Sequence, residues 1–421
     1  MRFLPFLLHR AVRTGDLTVT GPDGATHRFG DGTPPAIVVH LHDPALDFRL
    51  MLNPELHGAE AWMDGTLTLE QGDIYDLVAL FYRNKSHFDR TPTQQFWHQI
   101  GLRAQRWWAY NTITRARANA RAHYDVGNDL YAGMLDRDMQ YSCGYWPEGV
   151  ETLEDAQTAK KRRIAAKLAL EPGMRVLDIG CGWGGMALYL AALHDVEVTG
   201  ITLAAEQHKV AVARAEALGL SNRVRFELRD YREVRETYDR VVSVGMMEHV
   251  GVGHLPAYFR TIRDRLDARG VALIHSIVTR AGPSVSNAFI RRHIFPGGYI
   301  PALSETFAAV EQSGLWPLDL EIWRLHYAKT LHAWRENFHA ARDRLHGYDD
   351  RFKRMWDFYL AGCEAAFRFA ESSVAQVQLG RERDSAPIAR DYMGQAEARL
   401  AEAEPEHLPR LYGSTEQALA A

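Results

Sequence analysis

Three closely spaced glycines are the first residues in this chain whose spacing suggests chemistry. The stretch 174–185, MRVLDIGCGWGG, ends a short apolar run with Gly180, Gly182 and Gly184. Glycine lets the backbone turn sharply and lie against a ligand with no Cβ in the way, and a following helix N-terminus offers free N–H groups. The order strand, turn, helix therefore predicts a site for a nucleoside-like cofactor. Tight turns in ordinary α/β domains use the same pattern, so the turn alone does not identify a ligand.

Polar or glycine-rich segments also follow the strands predicted downstream. We expect strands at 196–201, 224–228, 240–245 and 271–278, with helices at 204–218 and 256–266. This alternation predicts a parallel doubly wound sheet, whose ligands lie at the carboxyl ends of the strands. The candidate segments at those ends are 180–185, Thr202, 230–232 and 245–251.

The glycine turn also bears on which cofactor binds. GCGWGG is shorter than the turn of dinucleotide enzymes, and the second strand ends at Thr202 without an acid to hold a ribose. The short turn favours a ligand without a pyrophosphate, such as S-adenosylmethionine, whose ribose Gln207 is placed to hold instead. Asp230 is a candidate acceptor for an adenine amino group, although an acid that caps a turn is a common alternative.

Two segments before the turn have unusual compositions. Residues 122–146 combine polar side chains, among them His123, Asp125, Asn128, Asp129 and Asp138, with five aromatics and Cys143, which is unusual for a linker. Residues 83–121 carry eight Lys or Arg against one acid, Asp89, interleaved with aromatics. That pattern suits an interfacial helix on a lipid surface, a domain interface with a solvated basic face, or a nucleic-acid surface.

Composition and the absence of certain motifs limit the number of domains, the compartment and the kinds of site that we expect. A chain of 421 residues, 46% hydrophobic and 24% charged with a net charge of -4, is long enough for two globular domains. Three widely spaced cysteines indicate a reducing compartment, so we expect a cytoplasmic protein. The apolar run 3–8 is too short for a signal peptide or membrane span, and the absence of HExxH or CxxC predicts no metal site.

The two ends of the chain give further expectations. Four strands are predicted between residues 16 and 52, in LTVT, THRF, AIVVHLH and FRLML, followed by helical spacing over 58–82. Residues 325–371 read as helices rich in aromatics that could enclose an acyl chain, followed by SSVAQVQL as a last strand. Beyond Tyr392 the chain turns to Ala and Glu, and we expect it to fray.

Taken together, the motifs resemble one family, the cyclopropane-fatty-acyl-phospholipid synthases. Ten of them stand in that family's order: HYDVGNDLY, MQYSCGYW, VLDIGCGWGG, GITLAAEQ, DYR, GMMEHVG, IHSI, IFPGGYIP, LHYAKTL and FYLAGCEAAF. The resemblance is strong over about residues 121–392. It implies a Rossmann-like class I methyltransferase domain, α/β with a mostly parallel doubly wound sheet and helical insertions, plus a smaller N-terminal α+β domain. The implied ranges are 1–110 for a lipid-engaging domain, 111–146 for a linker and active-site segment, 147–394 for the catalytic domain and 395–421 for a tail.

The resemblance also assigns residues. It implies an S-adenosylmethionine site lined by Tyr141, Ser142, Gly180, Gly182, Gly184, Thr202, Gln207, Asp230 and Tyr231. It implies a bicarbonate cage formed by Cys143, Glu248, His275, Ile277 and Tyr327, with Cys143 and Ile277 acting through backbone groups. Two positions depart from the family pattern: Ala204 replaces a serine, which removes one cofactor hydrogen bond, and His293 replaces a tyrosine, which bears on acyl-chain preference.

The implied activity is transfer of a methylene group from S-adenosylmethionine to the cis double bond of an unsaturated phospholipid acyl chain, forming a cyclopropane ring with bicarbonate as the base. Methyl transfer to an alkene leaves a carbocation, which the faces of Tyr327, Tyr299 and Tyr145 are candidates to stabilise. The implied partners are a membrane surface, bound peripherally on its inner face, and a second copy of the chain. GMMEHVG stands where nucleic-acid amino methyltransferases carry an NPPY-like turn, which argues against a nucleic-acid substrate. The alternatives are a relative that leaves a methyl or methylene branch and a noncatalytic membrane-binding relative.

Overall fold

The computed structural model describes residues 1–89, 100–101 and 127–420. Contacts within the chain group it into two compact units, one of residues 1–107, 285–296 and 331–372 and the other of residues 108–284, 297–330 and 373–421. Most of the basic, aromatic segment predicted at 83–121 lies outside the described residues. The domain ranges drawn from the sequence stay a prediction, but the contacts place two late segments, 285–296 and 331–372, with the N-terminal unit.

The first unit is built on a four-stranded sheet in the order β2-β1-β3-β4, in which β1 pairs parallel with β3 and the other pairs are antiparallel. Its strands are β1 (Asp16–Thr20), β2 (Thr26–Gly30), β3 (Ala36–Leu41) and β4 (Leu67–Gln71). Its early helices are α1 (Leu4–Ala11), α2 (Leu46–Leu52), α3 (Pro54–Asp64), α4 (Ile74–Arg83) and α5 (Lys85–Asp89).

Two secondary-structure predictions for this unit were wrong. FRLML lies in helix α2, where Leu46 and Leu50 are buried one turn apart, so its apolar spacing serves a helix face. The predicted helical stretch 58–82 is interrupted by β4, which begins after Gly65 ends α3 at φ +72° and pairs with β3. β4 is a strand because it pairs with β3. The spacing of apolar residues within the segment gives no sign of that pairing.

The second unit contains a seven-stranded sheet in the order β10-β11-β9-β8-β5-β6-β7. The strands from β5 to β9 pair in parallel, whereas β10 is antiparallel to β11, which confirms the predicted mostly parallel doubly wound sheet. The strands are β5 (Arg175–Ile179), β6 (Glu197–Thr202), β7 (Val224–Leu228), β8 (Tyr238–Val244), β9 (Leu266–Thr279), β10 (Trp316–Trp323) and β11 (Ser372–Gly380).

Buried side chains alternate between the two faces of this sheet. Val242 and Leu273 belong to one apolar cluster with helix α8, while Val241 and Ile274 belong to another with α10. Side chains of successive strand residues point to opposite faces, so both faces of the sheet are covered.

The remaining helices in the described part of the chain are α6 (Asn128–Met134), α7 (Leu153–Leu168), α8 (Gly185–Leu193), α9 (Ala205–Ala217), α10 (Leu255–Arg265), α11 (Leu303–Ser313), α12 (His326–Ala341), α13 (Asp350–Phe369) and α14 (Asp391–Ala420).

The chain after Tyr392 is helical, contrary to the expectation that it frays. Helix α14 buries Leu400 and Leu411 in the same cluster as α8. Its Glu404 accepts hydrogen bonds from Arg162 of α7 and from Tyr189 of α8. The alanine-rich composition therefore belongs to a helix packed against the sheet unit. Within the described part of the chain, no helix is both long and apolar enough to cross a membrane.

Candidate active site

The glycine turn after β5 has the geometry of a ligand cradle. Gly180, Gly182 and Gly184 have φ angles of +82°, +56° and +84°, which favour glycine. The N–H groups of Gly180 and Cys181 donate to the Ile201 carbonyl at 2.9 and 3.0 Å, which ties the turn to β6. A Cβ added at Gly184 would lie 2.7 Å from Phe226, whereas one added at Gly182 would meet no atom within 4 Å. Gly184 is therefore required for packing, whereas Gly182 faces open space, and its role in cofactor binding stays a prediction.

The end of β6 presents two predicted cofactor residues in one contact. The Thr202 hydroxyl lies 3.2 Å from the Gln207 amide oxygen and accepts a hydrogen bond of 3.2 Å from the Ala204 N–H. Both side chains are buried. Ala204, which replaces the family's serine, is itself buried and precedes α9. The structure thus holds Thr202 and Gln207 together beside the glycine turn.

Asp230 takes the turn-capping role that the sequence left open. Its carboxylate accepts from the Arg232 backbone N–H at 3.0 Å and from the Arg232 guanidinium at 2.7 Å. Tyr231 is buried in the same short turn, edge-on to Tyr258 with ring centroids 5.4 Å apart. The pairing with Arg232 orients the Asp230 carboxylate, and its role in adenine binding stays a prediction.

The segment before α7 lies against the glycine turn. Trp183 donates from its indole to Asn128 at 3.1 Å, and Tyr131 contacts both Trp183 and Tyr141 through its ring. A Cβ added at Gly185, the first residue of α8, would lie only 2.2 Å from the Gln140 side chain. This close approach places the loop that carries Tyr141 and Ser142 beside the start of α8, as the cofactor prediction requires.

Buried charges on α7 and α9 hold this loop in place. The Asp138 carboxylate, which has no exposed side-chain surface, pairs with Lys161 at 2.5 Å and with Arg214. Lys160, also fully buried, donates to the Ser142 hydroxyl at 2.8 Å and to the Gln140 amide oxygen at 2.6 Å. Burial lowers the pKa of Lys160 to about 7, an effect that the nearby Asp136 opposes. The position of Ser142 is thus set by a buried amine.

Glu248 and Ile277 are in direct contact at the ends of β8 and β9. The Ile277 backbone N–H donates to Oε1 of Glu248 at 2.6 Å. The other carboxylate oxygen, Oε2, is buried, and no hydrogen-bond partner for it is found among the residues that the structure describes. Burial raises the pKa of Glu248, although the Ile277 N–H opposes the shift. An unpartnered buried carboxylate oxygen is costly, and a ligand O–H at this point would satisfy it.

His275 lies two residues before Ile277 on β9 and is almost fully buried. Its Nδ1 is 3.2 Å from the Gln376 amide nitrogen of β11, and Trp323 packs edge-on to its ring at a centroid distance of 5.0 Å. Burial, followed by the nearby charges of Lys160 and Lys167, holds the pKa of His275 well below its ordinary value. The ring is therefore a neutral imidazole at physiological pH.

The segment that follows Cys143 is hydrogen-bonded to the first turn of α12, which carries Tyr327. Gly144 donates its N–H to the Thr330 hydroxyl at 3.0 Å, and the Trp146 N–H donates to Nδ1 of His326 at 2.9 Å. Tyr327 stands between His326 and Thr330 in the sequence and is half-buried. Burial raises the pKa of the Cys143 thiol, so the side chain stays a neutral packing group, consistent with a role through the backbone.

The predicted cage residues therefore come together only in part through direct contact. Glu248 touches Ile277, His275 shares β9 with Ile277, and the loop that carries Cys143 is hydrogen-bonded to the helical turn that carries Tyr327. Among the described residues, no cluster of His, Cys, Asp or Glu suits a metal ion.

Three buried residues next to these groups were missed from the sequence: Lys160, Lys167 and Gln376. One signal could have found the lysines, since they lie four residues before and three residues after Ile164 and so share the face of a buried apolar side chain. Gln376 gave no such signal. Its position on a central strand is visible only once β11 is placed in the sheet.

Comparison with known proteins gives matches over both parts of the chain. A family model described as mycolic acid cyclopropane synthetase matches residues 111–377, and one described as a domain of unknown function matches residues 6–92. The cyclopropane-fatty-acyl-phospholipid synthase of Escherichia coli (strain K12) is 37% identical over 355 residues, covering 83% of this chain and 89% of that protein. Tuberculostearic acid methyltransferase UfaA1 of Mycobacterium tuberculosis (strain ATCC 25618 / H37Rv) is 33% identical over 400 residues, covering 89% and 90%.

The sheet unit also resembles solved structures. Mycolic acid cyclopropane synthase CmaA1, in a complex with SAH and CTAB, superposes with a TM-score of 0.59 at 30% identity, covering 63% of this chain and 98% of that one. This similarity confirms the predicted class I methyltransferase fold. It also supports S-adenosylmethionine as the cofactor, since SAH is its demethylated form.

The open space beside Gly182 leads to a prediction. A methyl group added by Gly182→Ala points to where the cofactor would lie, so we expect affinity for S-adenosylmethionine to fall at least about tenfold, a loss of about 1.4 kcal/mol. Gly173→Ala is the matched control, because Gly173 also has a positive φ, +79°, and a Cβ added there would likewise meet no atom within 4 Å. Both variants should lose similar stability from backbone strain of about 1–2 kcal/mol. Calorimetric titration and thermal unfolding measure the two effects, and equal affinities in the two variants would contradict the assignment.

Proposed function

Because the chain belongs to the mycolic acid cyclopropane synthetase family, we propose that it transfers a methylene group from S-adenosylmethionine to the cis double bond of an unsaturated acyl chain in a membrane phospholipid, forming a cyclopropane ring with bound bicarbonate as the base. The observation that carries the proposal is the buried, unpartnered Oε2 of Glu248 beside the Ile277 N–H. Family membership confirms the resemblance carried by the ten motifs and the assignment as an S-adenosylmethionine-dependent enzyme.

The residues present fit a bicarbonate ion. Bicarbonate has one O–H donor and oxygens that accept hydrogen bonds. Oε2 of Glu248 supplies an acceptor for the O–H, while His275 and Tyr327 supply neutral donors for the oxygens. When bound, S-adenosylmethionine supplies a sulfonium methyl group and bicarbonate supplies a base for the proton that the new methyl group must lose.

The chain's own residues have two further tasks, to exclude water and to stabilise the carbocation left by methyl transfer. Trp323 and Tyr299 are 1% and 4% exposed, which supports a dry site. Tyr145 is less suited to the carbocation, because its ring already packs against Trp323 and His326 and lies 5.1 Å from the Arg163 guanidinium. Tyr327 is therefore our main candidate for cation–π stabilisation.

Glu248→Gln tests the acceptor role. The Ile277 N–H should keep hold of the amide oxygen, so a donating NH2 group replaces Oε2 and the acceptor is lost. We expect turnover to fall about 100-fold or more, within the range for loss of acid–base function, while affinity for S-adenosylmethionine changes less than about twofold. Steady-state kinetics and calorimetric titration measure the two quantities, with Glu197→Gln on an exposed residue as the control. Strongly weakened cofactor binding with normal turnover would refute the assigned role.

The product assay tests the proposed reaction as a whole. Incubation with methyl-labelled S-adenosylmethionine and vesicles of unsaturated phospholipid should add the mass of one methylene group per modified chain, in a ring. The similarity to a tuberculostearic acid methyltransferase favours one alternative, a methyl or methylene branch. Gas chromatography with mass spectrometry separates ring from branch. The absence of any labelled lipid, with cofactor binding intact, would instead support a noncatalytic membrane-binding role.

We also propose that the protein binds the inner face of the membrane peripherally, and a surface of the first unit supports this. Phe3, Phe6 and Phe48 are 45%, 64% and 48% exposed, and we call them the aromatic patch. Asp47 holds the chain there by accepting the N–H groups of Phe3 and Leu4 at 3.1 and 2.9 Å. The Arg10 guanidinium lies 5.1 Å from the centre of the Phe6 ring, and the arginines at positions 2, 13 and 49, which lie close to these rings in the sequence, are also exposed. Exposed rings beside cations suit an anionic lipid surface.

Replacing two rings of the aromatic patch should weaken membrane binding. Burying a phenylalanine side chain contributes about 1.5–3 kcal/mol, so we expect Phe3→Ser with Phe6→Ser to reduce affinity for phosphatidylglycerol-containing vesicles at least about tenfold. Ile388→Ser is the control, because Ile388 is 95% exposed on the other unit. Vesicle co-sedimentation measures binding, and turnover on a detergent-dispersed lipid should persist. Equal binding by the double variant and the control would contradict a membrane role for this patch. The homodimer stays a prediction.

A further inference from the structure

A chain of hydrogen bonds leads from the partly buried Glu321 to Nδ1 of the buried His275. It begins at Glu321 of β10, whose carboxylate receives two hydrogen bonds of 2.9 Å from the Arg163 guanidinium and a further one from the Lys167 ammonium. Burial alone would raise the pKa of Glu321, but these partners outweigh it and bring the pKa to about 2. Glu321 is therefore a carboxylate, and it stabilises Lys167 as a cation.

Lys167 fixes the orientation of the Gln376 side chain. The Lys167 ammonium, which is fully buried, donates to Oε1 of Gln376 at 2.9 Å. An ammonium group has only donors, so the amide oxygen of Gln376 must face it. The amide NH2 must then face the other way. The amide oxygen and nitrogen of Gln376 are therefore assigned from the chemistry of Lys167, and the assignment does not rely on telling these two similar atoms apart by their positions.

The orientation of Gln376 in turn sets the proton on His275. The Gln376 NH2 lies 3.2 Å from Nδ1 of His275 and has only hydrogens to offer. Nδ1 must therefore accept, and in a neutral imidazole the single proton is then on Nε2. We propose that Lys167 and Gln376 are positioning residues that hold His275 in its Nε2-protonated tautomer, so that the ring donates a hydrogen bond to an anion in the cage and does not act as the base.

The surroundings of His275 prevent the ring from escaping this state by becoming charged. Burial of the ring, which is 2% exposed, disfavours an imidazolium, and the nearby Lys160 and Lys167 act in the same direction, whereas Glu321 opposes them without reversing the shift in pKa. Trp323 packs edge-on against the ring and restricts its rotation. The identity of the anion rests on the proposed function, whereas the tautomer rests only on Lys167, Gln376 and His275.

The tautomer can be read directly by nitrogen-15 NMR of the histidine rings in the full-length protein. The signals of His275 are assigned as those lost in His275→Asn. In the wild type we expect a protonated Nε2 and an unprotonated Nδ1, with the Nε2 signal shifting saturably as sodium bicarbonate is added. A wild-type ring protonated on Nδ1 would overturn the proposal. This measurement needs no turnover, so it fails or succeeds independently of the lipid assay.

Gln376→Glu tests the consequence for activity. A carboxylate of the same length still pairs with Lys167 but accepts from Nδ1, so we expect the proton to move to Nδ1 and turnover to fall about 100-fold, while affinity for S-adenosylmethionine changes less than twofold. Lys167→Met should release the Gln376 amide and give a mixture of both tautomers. A reversed tautomer with wild-type turnover would refute the proposed role.

Gln378→Glu is the matched control. Gln378 lies two residues along β11, is also buried, and donates to the Lys167 backbone carbonyl and to the Tyr392 hydroxyl. The same chemical change there should cost comparable thermal stability and leave the His275 signals at their wild-type positions. If both variants lowered turnover equally with an unchanged His275 tautomer, Gln376 would have only a structural role and the proposal would fall.

Discussion

The candidate active site depends on two lysine side chains buried beside it. Lys160 and Lys167 lie on α7, and neither side chain is exposed. Taking an ammonium out of water is costly unless partners replace its hydration, and the partners here are residues of the site or its supports. Lys160 uses Ser142 and Gln140, while Lys167 uses Glu321 and Gln376. Holding these lysines in place therefore also holds the groups that line the site.

The parallel sheet explains why chemistry gathers at this edge. The chain crosses from strand to helix at the ends of β5, β6, β7 and β8, and each crossing exposes a polar group or a glycine there. β9 adds His275 and Ile277, and the antiparallel β10 and β11 bring Glu321, Trp323 and Gln376 alongside. The parallel part forms the predicted cofactor side, and the added strands complete the predicted cage side. One sheet edge thus carries both sets of predicted residues.

The parts that the sequence predicted are those with local signals. The glycine turn and the strand and helix alternation from 175 to 279 are visible in spacing alone, and the structure confirms them within a few residues, apart from the longer β9. Partners distant in sequence were not predictable. Lys167 meets Gln376 across more than two hundred residues, and nothing in WPLDLEIW distinguishes the strand β10 from a loop until Glu321 is seen facing Arg163. FRLML and the Ala-rich end were misread because tertiary packing decides short or weakly patterned segments. The cage itself came from family resemblance, since Glu248 or His275 alone would suggest only a packed side chain.

The distance between the charged side chains and the predicted cage affects how strongly a base bound there would hold a proton. A direct ion pair with lysine or arginine would stabilise an anion but lower its basicity. Glu248 and His275 instead offer an acceptor and a neutral ring N–H, while Lys160 acts through the intervening Ser142 side chain and Lys167 through that of Gln376. Such an arrangement attracts an anion by long-range charge and holds it by neutral donors, which leaves its proton affinity largely intact. A weak base such as bicarbonate needs that affinity to take a proton from a methyl group on a carbocation. The same reasoning explains why His275 must stay neutral, because an imidazolium in contact with the base would protonate it.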